Sequence, residues 1–246
     1  MNKTINTIKD HRSIRDFEKK DIEESILEEI IMAAQSMPNS INGQQTSIIV
    51  IKDPEKRKKI SEIAGGQPWI KKAPVFLLFI ADFYKTAIAA KKNNMEQVIH
   101  ESVEGTLVSA VDVGLNMGAA IIAAESLGLG IVPIGGIRNA PQEMIELFDL
   151  PDQTFPIAGL SIGYPKSKSK KKPRLPLETF RHKETYKANK IIETIDSYDL
   201  LMEKYYKSID REDSGNWSKR TSSIYNSVYF PKVHPVMKNQ GFKNDK

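Results

Sequence analysis

Four short segments of the 246-residue chain combine charge, amide side chains and glycine in ways a hydrophobic core does not need. In His11-Arg12-Ser13-Ile14-Arg15-Asp16-Phe17, two arginines, a histidine and a hydroxyl fall within five residues, a set suited to phosphate and polarised carbonyl oxygens. Such clusters also occur on ordinary surfaces, so this one does not define a site alone. Pro38-Asn39-Ser40 with Gln44-Gln45 offers amides that suit a ligand's ring edge or the closing of a turn. Gly65-Gly66-Gln67-Pro68-Trp69 lets a backbone approach a ligand or ends a helix. Ile131-Val132-Pro133-Ile134-Gly135-Gly136-Ile137-Arg138-Asn139 reads as a strand running into Gly-Gly and a helix start, which exposes backbone N–H groups to an anion or an electron-rich ring.

Other chemistries lack residues. There is no cysteine, which excludes disulfides, thiolate metal sites and a cysteine nucleophile. His11, His100, His182 and His234 are too scattered for a histidine-rich metal centre, and no metal is expected. The dinucleotide fingerprint, the phosphate-loop lysine motif, the zinc-protease motif and the serine-elbow motif are all missing. Lys+Arg total 36 against 31 for Asp+Glu. Five of those lysines lie at 165–174, and without them the balance is 31 against 31. That loop reads as a phosphate or nucleic-acid patch, or as a solvated turn between prolines.

These segments need a scaffold. Asp21 and Glu24 fit a capping box for an amphipathic helix carrying Ile22, Ile26, Leu27, Ile30 and Ile31. A strand is expected at 48–51, a helix opening at Asp53-Pro54 and ending near Gly65-Gly66, and a central strand at 75–81 that is apolar on both faces. The stretch 85–100 is polar and undetermined. A long helix is expected at about 101–127, with Ala110, Gly114 and Gly118 in a small-residue stripe that admits a close neighbour. Strands at 131–134 and 157–163 follow, with Asn139 capping a helix at 141–148. Beyond Arg181 the chain is polar and has too few apolar residues for a core of its own. The interleaved elements indicate α/β or α+β with one sheet. No uncharged apolar run reaches the roughly 18 residues of a membrane span, and the N-terminus shows no apolar signal segment, so the expected location is the cytoplasm.

Taken in order, the motifs resemble a nitroreductase-family flavoprotein, in the group of NADPH-dependent oxidoreductases that includes major oxygen-insensitive nitroreductases and bacterial flavin reductases. The matching residues are His11-Arg12-Ser13-Ile14-Arg15-x-Phe17, Gly65-Gly66-Gln67, Ala81-Asp82-Phe83, Ala123-Ala124-Glu125-Ser126-Leu127-Gly128-Leu129-Gly130, Ile134-Gly135-Gly136-Ile137-Arg138-Asn139 and Lys172-Pro173-Arg174-Leu175-Pro176. They span nearly the whole chain.

The resemblance implies an α+β fold with one central mixed or antiparallel sheet flanked by helices. It also implies a long helix at a homodimer interface, a core over 1–180 and a C-terminal helical arm over 181–246. One FMN is implied at each of two sites. By similarity, His11, Ser13, Lys172 and Arg174 hold its phosphate, and Arg12 is a further cofactor-binding residue. Arg15 and Gln67 lie by the ring, Asn39 and Ser40 contact it from a loop, and Pro133, Ile134, Gly135 and Gly136 line it with backbone. No catalytic side chain is obligatory, since the cofactor carries the redox step and Arg15 gives electrostatic support. The implied activity is ping-pong two-electron transfer from NADPH or NADH to a small-molecule acceptor such as a nitroaromatic, a quinone or free flavin. Neither nucleic acid nor a membrane is an implied partner. Relatives that prefer NADPH carry an arginine soon after a Tyr-Tyr pair. Here Tyr205-Tyr206 is followed by Arg211, displaced and flanked by Asp210, Glu212 and Asp213, so weakened NADPH discrimination is expected. The alternatives are another flavin reaction on the same fold and a phosphate- or nucleic-acid-binding module built on the lysine loop.

Overall fold

In the computed structural model, which describes residues 2–246, four strands form one sheet among the described residues: β1 (Thr46–Ile51), β2 (Val75–Asp82), β3 (Gly130–Ile134) and β4 (Thr154–Gly163). Their order is β1-β2-β4-β3 and every pairing is antiparallel, which narrows the mixed-or-antiparallel expectation. The helices are α1 (Lys3–Lys9), α2 (Glu24–Gln35), α3 (Pro54–Ile63), α4 (Pro68–Lys72), α5 (Tyr84–Lys92), α6 (Val103–Ser126), α7 (Pro141–Leu147), α8 (Ala188–Lys207), α9 (Trp217–Tyr225) and α10 (Val233–Asn239). The chain divides into two compact units, residues 2–169 with Phe230–Lys246, and Lys170–Tyr229. The boundary expected at 180 falls inside the second.

In the first unit, the alternation of β2 sorts its side chains onto two faces. Phe76, Leu78 and Ile80 join Ile60, Ile63, Ile70, Ile137 and Met144, from α3, α4, α7 and the turn before α7. Val75, Leu77 and Phe79 join Leu27, Ile30 and Ala34 of α2 and Val113, Ala120 and Ala124 of α6. Burying each large apolar side chain contributes about 1.5–3 kcal/mol, so a sheet covered on both faces is a firm platform for what lies along its edges. β4 carries a bulge where Phe79 pairs with Ala158 and Ile80 with Pro156. Proline cannot donate to a ladder and is tolerated at such an irregularity.

Helix α6 is apolar and long enough to cross a membrane by length and composition alone. Its inner side packs in the core, and its buried polar residues Asp112 and Asn116 are bonded to the protein. The opposite side leaves Val103, Leu107, Val111 and Leu115 exposed, and a Cβ at Gly114 or Gly118 would meet nothing within 4 Å.

Several local expectations change. Helix α1 is additional and contributes no buried residue, so it leaves no periodic apolar signal. The capping box at Asp21 does not form: α2 opens at Glu24 without a side-chain cap, because the extended stretch before it inserts Ile22 into the core. Asn139 does not cap α7, whose start is set by Pro141, and its amide lies beside Gly65 instead. The stretch 85–100 contains α5. The second unit does have a small core: Tyr198, Met202 and Tyr206, four residues apart on α8, are buried with Leu175, Tyr205, Ile209 and Trp217 around them.

Candidate active site

The segment 11–17 is laid along the outer edge of β3. Ser13 bridges Ile131, the Ile14 N–H donates to the Ile131 carbonyl at 2.8 Å, and Phe17 bridges Pro165. Gly130 permits this approach, since a Cβ there would lie 2.7 Å from Ile14 Cγ1. The start of the lysine loop is fastened to the same segment, with the Lys166 N–H on the Asp16 carbonyl at 3.0 Å and the Ser169 hydroxyl on the Ser13 carbonyl at 2.9 Å. His11 Nδ1 is 2.7 Å from Glu125 Oε1, across 114 residues of sequence. The other oxygen of Glu125 is buried without a hydrogen-bond partner. Arg12 pairs with Asp10. Beside them lies a cavity of about 180 Å³ lined by Arg12, Glu125 and Lys168 among others.

A second group adjoins through Arg15. Its guanidinium carbon is 5.4 Å from the centroid of Trp69, on α4 just after Gln67. Gly65 and Gly66 adopt left-handed φ of 82° and 78°, which turns the chain out of α3 and presents Gln67. The Gln67 side-chain amide donates to the Ala64 carbonyl at 2.9 Å, and the Gln67 backbone carbonyl accepts the Ser61 hydroxyl at 2.7 Å. Gly136 completes the cradle: a Cβ there would sit 2.5 Å from Gln67 Nε2 and 2.8 Å from the Ala64 oxygen. Ile134 is buried, so only its backbone is available to a ligand, whereas Pro133 is exposed and Gly135 half-buried. Arg138 is used structurally, donating to the Ile157 carbonyl at the bulge and lying 5.3 Å from the Phe230 ring.

Asn39 and Ser40 are not brought to this group within one chain. They precede β1, at the opposite edge of the sheet, three strand spacings or roughly 14 Å away. Their loop turns through the left-handed residues Ile41, Asn42 and Gln44, and Ile41 is 96% exposed. It is anchored by Asp112 of α6, which is only 3% exposed. Asp112 accepts the Gln45 amide at 2.6 Å and the Ser40 N–H at 3.3 Å, while burial pushes its carboxyl above the ordinary range.

Lys172, Arg174 and Arg211 belong to the second unit. The 172–174 stretch is held by α8, where the Tyr198 hydroxyl donates to the Pro173 carbonyl at 2.9 Å. Burial raises the Tyr198 hydroxyl's pKa, and the nearby Arg174 opposes that. Lys172 and Arg174 line a cavity of about 820 Å³ together with Tyr198, Tyr206, Trp217 and Arg220. Arg211 is exposed at the start of a short turn, Glu212–Ser214, and does not line that cavity. Sequence reasoning passed over Glu125 as an interacting group, and also Trp69, Asp112, Tyr198 and Arg220. The motifs that held the first two were visible, but their partners were not.

FMN is the group that the motif resemblance implies here, and the residues fit it. A cationic and hydroxyl-bearing edge for a phosphate leads into a glycine-floored cradle with a fixed guanidinium and an amide, as an anionic, planar, hydrogen-bonding ligand requires.

Among family models, the Nitroreductase family matches residues 8–164 and the Nitroreductase family C-terminal domain matches 172–245. The FMN reductase [NAD(P)H] of Bacillus subtilis is 47% identical over the full length of both chains. The structure of B. megaterium NfrA2 superposes with a TM-score of 0.97 at 47% identity, again covering 100% of each chain. The NADPH:FMN oxidoreductase from Vibrio harveyi complexed with NAD+ superposes at 0.89 with 33% identity, covering 98% of this chain and 99% of that one. With both family models and full-length relatives in agreement, the chain belongs to the nitroreductase family.

Proposed function

We propose that this nitroreductase-family enzyme is an FMN-dependent NAD(P)H oxidoreductase that reduces free flavin, nitroaromatics or quinones. The observation that carries the reading is the Arg15–Trp69–Gln67–Gly136 cradle joined to the His11–Ser13 edge. The chemistry FMN supplies when bound is two-electron transfer, hydride in from NAD(P)H and two electrons out to the acceptor. By the motif resemblance, His11, Ser13, Lys172 and Arg174 serve the phosphate end, with Arg12 a further cofactor contact. Arg15 holds a fixed positive charge by the pyrimidine side of the ring, where negative charge grows on reduction. Gln67 and the backbone of 133–136 orient the ring, and no side chain need move a proton as a dedicated acid or base. Donor and acceptor share one open face in turn, so the kinetics are ping-pong.

The working unit is a homodimer. Asn39 and Ser40 stand a sheet's width from Arg15 in one chain, and the apolar outer side of α6 supplies a surface over which a second copy brings them to the ring. Its electron donor is a cytoplasmic metabolite, which supports that location. NADPH is used with reduced discrimination over NADH, because Arg211 sits among Asp210, Glu212 and Asp213.

The purified protein is expected to carry a flavin absorption spectrum that bleaches on anaerobic addition of NADPH, with heat releasing FMN. A colourless protein that fails to take up FMN sinks the reading. Steady-state lines that intersect rather than run parallel overturn the ping-pong scheme, and a strong preference for NADH overturns the donor assignment.

A further inference from the structure

The indole N–H of Trp69 is buried and has no acceptor. An unpaired buried donor is costly, and a phenylalanine packed against the same core cluster would carry none, so the indole brings a cost that something else must offset. What the indole offers beyond size is its face. Among neutral rings it attracts a cation most strongly, and the Arg15 guanidinium lies within the 6 Å over which that attraction acts. Arg15 is an exposed side chain on an edge segment, and a long flexible cation stabilises charge at one place only if something holds it there. Trp69 is itself rigidly placed, since Pro68 opens α4 immediately before it and the Ile70 N–H donates to the Gln67 carbonyl at 3.2 Å.

We propose that Trp69 is the positioning residue for Arg15. Its face holds the guanidinium beside the pyrimidine side of FMN and so sets how strongly the protein favours the reduced over the oxidised cofactor. The inference rests on the reading that Arg15 faces FMN, and the test separates the two.

The holoprotein's flavin midpoint potential is measured by dye equilibration, and FMN affinity by recovery of flavin fluorescence, for Arg15→Leu, Trp69→Leu, Trp69→Met and Trp69→Phe. Arg15→Leu lowers the potential and weakens FMN binding. Trp69→Leu and Trp69→Met move both in the same direction, with FMN affinity down about three- to tenfold. Trp69→Phe, which keeps a weaker ring face, falls between the parent and Trp69→Met. A purely structural tryptophan would change the melting temperature and leave the potential alone. If Arg15→Leu lowers the potential while a folded Trp69→Met keeps the parent value, the inference fails and the reading of Arg15 stands. If Arg15→Leu changes neither quantity, that reading fails and the inference goes with it. Should Trp69→Leu not fold, Trp69→Met and Trp69→Phe still decide the matter.

Discussion

Along the β3 edge the chain from Ser13 to Phe17 is fastened by backbone bridges at both ends, and the side chains of His11 and Arg15 rest on Glu125 and Trp69. Along the β1 edge, the loop carrying Asn39 and Ser40 turns through three left-handed residues and hangs on one buried carboxylate. The first edge has the cost of its geometry spread over many contacts, so no single side chain there should matter much to folding. The second concentrates its restraint in Asp112, so one substitution should release it. Strained, exposed segments of this kind gather where a ligand or partner completes the structure.

The largest effect is therefore expected at the β1 edge. Asp112→Ala strands the Gln45 amide and the Ser40 N–H without an acceptor and should cost about 3 kcal/mol, which for a domain of this size lowers the melting temperature by about 6–12 °C. Asp112→Asn keeps an acceptor and should cost much less. It should also change a pH slope. Burial raises the Asp112 carboxyl above its ordinary value, so the folded chain binds that proton more tightly than the unfolded one. Stability from this group is then greatest in acid and declines as pH rises through the folded value. Thermal melts of the asparagine variant between mildly acidic and neutral pH should lack that decline. A Glu125→Ala protein that melts lower than Asp112→Ala would invert the comparison.

At the β3 edge the expected loss is in ligand affinity rather than stability. Glu125→Ala frees His11 to rotate and should weaken FMN binding about tenfold, with a melting temperature close to the parent's. Riboflavin, which lacks the phosphate, should bind both proteins equally. Glu125→Gln separates orientation from charge: an amide oxygen still accepts from Nδ1, so recovery of affinity identifies orientation as the cause. Equal losses for FMN and riboflavin would remove His11 from the phosphate end.

The two edges also differ in how far they can be read from sequence. The strand Val75–Asp82, the long helix α6 and the glycine-marked turns were legible because their signals are local: a double-faced apolar run, a long apolar helix with a small-residue stripe, residues that tolerate left-handed φ. The motif residues of both edges were legible as types. Their supports were not, since Glu125 is 114 residues from His11 and Asp112 is 67 from Gln45, and nothing in local spacing pairs them. The opposite-edge placement of Asn39 and Arg15 follows from the strand order β1-β2-β4-β3, which composition and periodicity do not encode. Helix α1 escaped for the reverse reason, having no buried face to leave a pattern.

The smallest effect sharpens the claim about strain. Ile41 holds φ of 49° with a β-branched side chain that is 96% exposed in the single chain. A left-handed conformation costs such a residue about 1–2 kcal/mol, whereas glycine adopts it freely but gives up roughly 0.5–1 kcal/mol in backbone entropy. Ile41→Gly should therefore stabilise the protein by about 0.5 kcal/mol, a rise of about 1–2 °C by thermal melting. Asparagine, which tolerates this region better than isoleucine, should fall between the two. A lower melting temperature for Ile41→Gly would mean that the isoleucine side chain is covered in the assembled protein. The strain of this turn would then be sustained by a second copy seated on the loop as well as by Asp112 beneath it, and the contrast between the two edges would be one of assembly rather than of local anchoring.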